Sequence, residues 1–364
     1  ETMTSIIRSR FQSIVSFAFL LFVVVFPNCK ASENECDDTT WNAERLKNTY
    51  LVKIGGSCLT DKSQLETLNT TMLYWFSQTL AIVRNQTNHD FIIIHGAGSF
   101  GHFTAKEYGF RGILQKSPVT TTTTTTTNTI PPPQMHPHTR EGFAKTRNSV
   151  QTLNQHVLSS LISNHIPAVG ISPFSLGRSC PITDEQIDTY RKALLQSVNH
   201  ARDAGLVPVL HGDGCIYDNI FAAGIVGGDH LMDWLGMDPT IVQSIFLTDV
   251  AGIFTSNPRT DPNATLVTRI HIPRNQDDDT TINNLQNHHQ PQNTPPIQST
   301  LDKIDASESH HGHDVTGGLT TKYQVATSLA KRGIPVAVVE CGTWDAQQAL
   351  LGRVFQIGTH VIPI

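Results

Sequence analysis

Two glycine-rich segments, each directly after a short apolar run, carry residues that could bind phosphate. The first is Lys53–Ser57 (KIGGS) and the second is His95–His102 (HGAGSFGH). Glycines after a strand let the backbone approach an anion closely and point N–H groups at it. Lys53 and His102 could each add a donor to the same anion. An ordinary tight turn uses glycines in the same way, so neither segment decides the matter alone.

Neither segment matches the two common nucleotide-binding fingerprints. No GxxxxGK[ST] pattern occurs in the chain, which excludes a P-loop enzyme. Residues 96–101 do form a GxGxxG pattern, but a dinucleotide site also requires an acidic residue about 20 positions later. The corresponding stretch is Gln115–Pro118, which contains no acidic residue. A dinucleotide-binding domain is therefore not predicted.

Three further segments combine glycine with acidic residues or lysine. They are His211–Gly214 with Gly227–Asp229, Thr248–Phe254 (TDVAGIF) leading to Asn257, and Asp314–Gly318 (DVTGG) followed by Lys322. A glycine pair that opens a helix with a lysine on its first turns favours phosphate through the helix dipole and the charge. Each segment could equally be a turn or a cap, but their joint order is more specific.

The apolar pattern predicts the elements that position these segments. Candidate buried strands are Leu51–Ile54, Phe91–Ile94, Ala168–Ile171, Val207–Leu210, Ile245–Leu247 and Val336–Val339. Residues 146–163 and 320–332 have the apolar spacing of helices. This alternation predicts an α/β fold with a mainly parallel sheet. In such sheets ligands bind at the carboxyl edge, where the glycine segments stand.

Composition limits the range of functions. The chain has 364 residues and a net charge of −5, so it has no global attraction for nucleic acid. Six scattered cysteines, none in a CxxC pair, predict reduced and mostly buried thiols rather than disulfides or a zinc site. The cluster of His310, His311 and His313 could bind a metal, but no periodic pattern of ligating residues accompanies it. No metal-ligating residue is therefore assigned.

Three stretches are predicted to lie outside the folded core. Residues 1–47 form a leader in which Arg8 and Arg10 precede an apolar run from Ile14 to Phe26. This run has the length of a signal peptide, and a cleaved leader, a signal anchor or a misassigned start all fit it. Residues 117–138 and 275–313 lack apolar content and are predicted to be disordered insertions. The catalytic domain is placed at residues 48–364.

The order of the motifs KxGGS, HGAGSFGH, GDxxxxD, GGD, TDVxGIF and DVTGGLxxK closely resembles isopentenyl phosphate kinase of the amino-acid kinase superfamily, from about Leu51 onward. Glutamate, aspartate and nucleoside-monophosphate kinases of the superfamily share the lysines and glycine pairs. The histidine that closes the second glycine loop, here His102, marks the isopentenyl phosphate branch. The resemblance implies a three-layer α/β/α sandwich with a mainly parallel central sheet, usually in a homodimer.

The resemblance also implies a role for individual residues. It implies a catalytic group of Lys53, Lys62, His102, Asp229 and Lys322, in which Lys62 steadies the transferring phosphoryl group and Asp229 orients the lysines. It implies ATP contacts from Lys53, Gly55, Gly56, Ser57, Gly98, Asp249, Phe254, Asn257, Gly317, Gly318 and Lys322. It implies contacts to the acceptor from Ala97, Gly98, His102 and Gly228. Ala251 and the pair Gly214-Cys215 depart from the family pattern near the nucleoside site.

The function implied by the resemblance is ATP-dependent phosphorylation of isopentenyl phosphate, with Mg²⁺ on the ATP. Alternatives left open are another kinase of small phosphate monoesters or phosphonates, and a non-catalytic nucleotide-binding regulator. No nucleic-acid partner is expected, and membrane association is expected only through the N-terminal segment. The expected location of the catalytic domain is cytoplasmic, with a plastid or a membrane-anchored location as the alternative.

Overall fold

A central eight-stranded sheet organises the part of the chain that the structure describes. The computed structural model describes residues 48–110, 135–176, 180–181, 183–217, 222–274 and 318–364. The strands are β1 (Thr49–Ile54), β2 (Asp90–His95), β3 (Ala168–Ile171), β4 (Val207–His211), β5 (Asp213–Tyr217), β6 (Ala222–Val226), β7 (Ile241–Thr248), β8 (Arg269–Ile272), β9 (Val336–Glu340) and β10 (Thr359–Pro363). Their order in the large sheet is β3-β4-β2-β1-β7-β9-β10-β8. Strands β5 and β6 form a separate antiparallel hairpin.

Helices cover both faces of this sheet. They are α1 (Gly56–Leu59), α2 (Thr70–Gln86), α3 (His102–Glu107), α4 (Pro137–Ser163), α5 (Pro173–Leu176), α6 (Asp184–Asp203), α7 (Gly228–Leu235), α8 (Gly318–Lys331) and α9 (Trp344–Leu350). Within the large sheet only the β9–β10 pair is antiparallel. The predicted mainly parallel α/β architecture is therefore confirmed.

Two apolar cores, one on each face, explain why the central strands are apolar throughout. Every residue of β1 and β2 is buried. Val52 and Ile54 belong to the core that includes side chains of α2, α4 and α9. Leu51 and Ile94 belong to the other core, with side chains of α6, α7 and α8. Parallel strands covered on both faces need apolar residues at successive positions, and the result is the predicted three-layer sandwich.

All six predicted strands are present, but one helix boundary was predicted wrongly. Helix α4 begins at Pro137, nine residues before the predicted start, and so takes in the end of the predicted insertion 117–138. Proline suits the first helical position, and the His136 ring accepts a hydrogen bond from the His138 N–H. The first turns of α4 are largely exposed and therefore mostly polar. They lack the apolar spacing from which a helix is predicted. Residues 1–47, 111–134 and 275–317, including the histidine cluster, lie outside the described residues.

The cysteine prediction was wrong for four of the six residues. Disulfides join Cys58 to Cys341 and Cys180 to Cys215, with Cα–Cα distances of 6.5 and 4.9 Å. All four side chains are buried, as predicted. The first pair is 283 residues apart in sequence, so only the fold brings α1 next to the end of β9. No spacing rule applied to the sequence could identify such a pair.

The amino-terminal edge of the sheet is closed by a buried arginine. Arg202 on α6 donates from Nε to Asp90 at 2.8 Å and from Nη1 to Asp238 at 3.0 Å. These contacts fix the edge opposite the glycine loops. Within the described residues, no helix combines the length and the apolar character needed to cross a membrane.

Candidate active site

A cleft opens at the carboxyl edge of the sheet and brings together most of the predicted site residues. Its empty volume is about 820 Å³, including the solvent at its mouth, which is in the range of small-molecule sites. The predicted residues that line it are Lys53, Gly55, Gly56, Ser57, Lys62, Ala97, Gly98, His102, Gly228, Asp229 and Lys322. Residues from four separate motifs, together with Lys62, therefore meet in one place.

The two glycine loops touch each other through their backbones. Strands β1 and β2 are parallel neighbours, and their last residues, Ile54 and His95, are paired in register. A Cβ on Gly56 would lie 2.2 Å from the backbone nitrogen of Gly98. Gly98 also has a φ of +52°, which disfavours other residues. Glycine is needed at both positions because no side chain fits between the loops.

A threonine that the sequence analysis missed ties the two loops together. The hydroxyl of Thr60 accepts a hydrogen bond from the Ser99 N–H at 2.9 Å and donates one to the Gly56 carbonyl at 2.8 Å. The Ser99 hydroxyl in turn accepts from the Thr67 N–H at 3.1 Å. Thr60 and Ser99 are both buried. The sequence did offer a hint of this role, because Thr60 lies between Gly56 and Lys62, two residues that were predicted to belong to the site.

Lys53 and Asp229 form an ion pair at the base of the cleft. Lys53 is on β1, and Asp229 is the second residue of α7, after the helix cap Gly227. Their side chains are only 8% and 13% exposed. A charge with so little exposure to solvent is costly without a partner, so Lys53 and Asp229 compensate each other's charge. A Cβ on Gly228 would meet Lys53 Cε at 3.3 Å, so the glycine leaves room for the lysine.

Asp249 lies among the other two predicted lysines. Burial raises the pKa of its carboxyl, but Lys322, Lys62, Arg259 and a hydrogen bond from Ser57 outweigh burial and bring this pKa below its ordinary value. Arg259 donates to the Asp249 carboxylate at 2.6 Å. The Asp249 carboxylate therefore interacts electrostatically with Lys62 and Lys322 and forms a hydrogen bond with Ser57 of the first glycine loop.

Phe254 and Asn257, both predicted to contact the nucleoside, lie outside the lining of the cleft. Phe254 forms a β-bridge with Leu266, and the Asn257 side chain accepts a hydrogen bond from the Arg259 N–H at 3.0 Å. Asn257 thus shapes the turn that carries Arg259. Gly318 begins α8, four residues before Lys322. Gly317 lies outside the described residues, and the ATP contacts of these four residues stay predictions.

His102 stands at the other side of the cleft, near an apolar wall. It is the first residue of α3 and is half-buried. Thr146 and Val150 of α4, with Gly214 and Ile225 of the β5–β6 hairpin, complete the lining on this side. Gly214 belongs to one of the glycine segments of the sequence analysis. The other three residues were missed, because nothing in their local pattern distinguishes a cleft wall from a core.

A pair of buried histidines lies behind the glycine loops. His95 and His211 end β2 and β4, are paired in register, and have ring centroids 5.5 Å apart. Their Nδ1 atoms lie 3.2 and 3.0 Å from the carbonyls of Gly96 and Gly212. The Asn154 side chain lies 3.0 Å from His95 Nε2. Burial, and then the neighbouring His211, lower the pKa of His95 to about 4.

Comparison with known proteins indicates the family to which the chain belongs. A model described as the amino acid kinase family matches residues 48–340. The chain is 35% identical to isopentenyl phosphate kinase of Arabidopsis thaliana over 268 residues, covering 72% of this chain and 68% of that protein. It is 26% identical to isopentenyl phosphate kinase of Methanothermobacter thermautotrophicus over 308 residues, covering 83% and 95% of the two chains.

Solved structures show the same fold. An X-ray structure of isopentenyl phosphate kinase aligns with a TM-score of 0.58 and 23% identity, covering 86% of this chain and 100% of its own. The product complex of the Thermoplasma acidophilum enzyme aligns with a TM-score of 0.57 and 20% identity, with the same coverage. A parallel α/β/α sandwich with lysines and paired glycine loops at its carboxyl edge is the architecture of a small-molecule kinase. The chain belongs to the amino acid kinase family, within its isopentenyl phosphate kinase branch.

The buried histidines predict how stability depends on pH. An unfolded histidine titrates near 6.5, so between about pH 6.5 and 4 the unfolded chain binds a proton that folded His95 does not. Folding stability should therefore fall as the pH falls through this window, by on the order of 3 kcal/mol from His95. His211 and His230, whose pKa values burial also lowers, act in the same direction.

Urea unfolding at a series of pH values checks this prediction. His95→Gln removes one titrating group, so its unfolding free energy should depend less steeply on pH below 6.5 than that of the wild type. His271→Gln, at an exposed position on β8, is the control and should keep the wild-type slope. An unchanged slope in His95→Gln would mean that this histidine does not resist protonation in the fold.

Proposed function

We propose that this protein transfers the γ-phosphoryl group of ATP to isopentenyl phosphate, giving isopentenyl diphosphate and ADP. The observation that carries the proposal is the single cleft in which Lys53, Lys62 and Lys322 surround two touching glycine loops, with His102 closing the second. Such a site offers positive charge and backbone N–H groups for two phosphates side by side. The curated relatives of the same branch add the identity of the acceptor.

The chemistry asks for charge neutralisation and alignment rather than for a base. Phosphoryl transfer passes through a loose transition state in which charge is spread over the oxygens of the moving group. The acceptor oxygen of a phosphate monoester is already anionic at neutral pH, so no side chain has to remove a proton. The main obstacle is repulsion between the two anions, which the ammonium groups reduce.

Each lysine has a distinct place in this proposal. Lys53 is held by Asp229 at the base of the cleft, and it is assigned to both phosphates. Lys322 on α8 and Ser57 of the first loop bind the ATP phosphates. Lys62 lies on the turn after Thr60 and lines the cleft. Its ammonium is assigned to the phosphoryl group between donor and acceptor. Asp229 acts by orienting Lys53 and is not a base.

The acceptor phosphate is assigned to His102, with backbone contacts from Ala97, Gly98 and Gly228. An imidazole beside a phosphate dianion donates a charge-assisted hydrogen bond, and His102 has the partial exposure that such a role needs. Val150 and Ile225 present apolar surface on the same side, which suits a hydrocarbon tail.

Magnesium fits this site as a companion of ATP. Within the described ranges, no three His, Cys, Asp or Glu side chains are grouped so that they could hold a metal ion. The proposed Mg²⁺ would therefore be held mainly by the phosphate oxygens of ATP, as is common for this ion. When bound it neutralises charge on the β- and γ-phosphates.

Further parts of the proposal rest on the family resemblance. They are the nucleoside contacts of Asp249, Phe254 and Asn257, the shaping of the Lys322 loop by Gly317 and Gly318, assembly as a homodimer, and a cytoplasmic location of the catalytic domain. A plastid or membrane-anchored location is the alternative, and it depends on residues 1–47. The catalytic domain itself is proposed to extend from residue 48 to the C-terminus.

A panel of phosphate monoesters tests the proposed function. Wild-type protein should consume ATP in a coupled assay with isopentenyl phosphate, and far more slowly with other alkyl phosphates, with phosphonates or without an acceptor. His102→Ala should lose transfer while still binding ATP in calorimetry, because the acceptor phosphate loses its hydrogen bond. The expected cost is about 1.5–3 kcal/mol or more.

Lys106→Ala is the matched control, since Lys106 lies exposed on the same helix. It should behave as wild type. Preference for a phosphonate or another monoester would favour the alternative kinase, and ATP binding without any turnover would favour a regulator. Unchanged kinetics in His102→Ala would remove the acceptor role of this histidine.

Lys62 is predicted to act mainly in the transition state. An interaction made only as the phosphoryl group moves affects turnover more than ground-state affinity. Lys62→Ala should lower kcat by roughly 10²-fold or more and leave the Kd of ATP close to the wild-type value. Calorimetry beside steady-state kinetics checks both quantities, with Lys192→Ala at an exposed position of α6 as the control. Full turnover in Lys62→Ala would contradict the role assigned to it.

A further inference from the structure

An arginine–aspartate pair lies at the acceptor side of the cleft, where Asp213 is part of the lining and Arg147 is not. Arg147 on α4 donates from Nε to Asp213 Oδ1 at 2.8 Å and from Nη2 to Oδ2 at 3.1 Å. The Asp213 side chain is fully buried, and that of Arg147 is 19% exposed. Two parallel bonds of this kind fix orientation as well as distance. No role in the site follows from the motifs for Arg147, which is 66 residues away from Asp213 in sequence.

Hydrogen bonds to the Asp213 carboxylate connect residues from several elements into one unit. Ser172 donates to Oδ2 at 2.6 Å, and the backbone N–H of Gly214 donates to Oδ1 at 2.7 Å. The guanidinium carbon of Arg147 lies 3.9 Å from the centroid of the Phe174 ring. The carboxylate therefore joins α4, the residue after β3 and the start of β5. A buried charge with this many partners is well compensated, but removing one partner is costly.

This unit sets the position of the hairpin that walls the cleft. Asp213 begins β5, and Gly214 is paired with Ile225 of β6. A Cβ on Gly214 would lie 2.5 Å from the Phe143 ring and 3.2 Å from Arg147 Cγ, so the hairpin packs tightly against α4. Gly214 and Ile225 line the cleft on one side of this contact, and Thr146 and Val150 line it on the other.

The same unit reaches the loop that contains Gly228. A Cβ on Gly212, the residue before Asp213, would lie 3.3 Å from the backbone nitrogen of Gly228. Gly228 is followed by Asp229, the partner of Lys53. A shift of the Asp213 backbone would therefore move both the apolar wall and the Gly228 contact. The ATP side, formed by Lys322 and Ser57, belongs to other elements.

We propose that Arg147 is a positioning residue for the acceptor: by holding Asp213 it fixes the β5–β6 hairpin against α4 and so sets the shape of the acceptor side. This inference rests on the proposed function for the identity of the acceptor. It assigns to Arg147 no contact with either substrate. Its loss should weaken acceptor binding and relax selectivity among acceptor tails, and should leave ATP binding unaffected.

Steady-state kinetics of Arg147→Met, Arg147→Lys and Arg147→Ala provide the first test. Displacement of a binding wall by about 1 Å can cost up to about 10²-fold. Arg147→Met should raise the KM of isopentenyl phosphate by about tenfold or more and keep the KM of ATP within about twofold of wild type. Arg147→Lys should bring the KM of isopentenyl phosphate only part of the way back to the wild-type value, because an ammonium cannot form the two parallel bonds. The preference for short over long alkyl phosphates, measured as the ratio of their kcat/KM values, should become smaller in Arg147→Met.

Amide hydrogen exchange provides a second readout that needs no substrate. In Arg147→Met, exchange should become faster in β5, in β6 and at residues 227–229, and should not change in β9. Arg140→Met, at an exposed arginine of the same helix, is the matched control and should leave both readouts unchanged. If Arg147→Met does not fold, Ser172→Ala removes one bond to the same carboxylate and should shift both readouts in the same direction by a smaller amount.

The outcomes separate this inference from the proposed function. Wild-type protein without activity on isopentenyl phosphate contradicts the proposed function, and the exchange experiment then still decides the role of Arg147. Equal increases in both KM values, or a loss of kcat with both KM values unchanged, would overturn the positioning role. Unchanged exchange in the hairpin of Arg147→Met would overturn it as well.

Discussion

The backbone contact between the two glycine loops is the constraint on which the site depends. Because β1 and β2 are parallel neighbours, their loops leave the sheet at the same edge and compete for the same space. They fit only because Gly56 and Gly98 have no side chains, and the Thr60 hydroxyl then bonds to both loops. Lys53 before the first loop and His102 at the end of the second are thereby held in the lining of one cleft.

Partly buried carboxylates accompany the positive charges of the site. The chain as a whole is negative, with a net charge of −5, so attraction for phosphate has to come from a few fixed cations. Asp229 fixes Lys53, and Asp249 lies among Lys62, Lys322 and Arg259. Each carboxylate weakens the local positive potential but removes the freedom of a long side chain. Preorganised charge of this kind needs little rearrangement when the phosphoryl group moves.

Short-range patterns predicted what depends on neighbours in sequence, and missed what depends on the fold. The six strands and the glycine loops were recognisable because burial on both faces requires apolar runs and close backbone approach requires glycine. The β5–β6 hairpin was missed because its strands are short and half-buried. The Arg147–Asp213 pair and the Cys58–Cys341 disulfide join distant residues that carry no mark in the sequence. Family resemblance, rather than spacing, supplied the roles of Lys62 and Asp229.

The central claim is that this cleft joins two phosphates directly, without transfer to water. Phosphorus NMR of a mixture of ATP, Mg²⁺ and isopentenyl phosphate measures this outcome most directly. The account predicts that the monoester signal is replaced by the two coupled signals of a diphosphate ester, in amounts equal to the ADP formed. Inorganic phosphate in place of the diphosphate, or ATP and monoester signals that do not change, would contradict it.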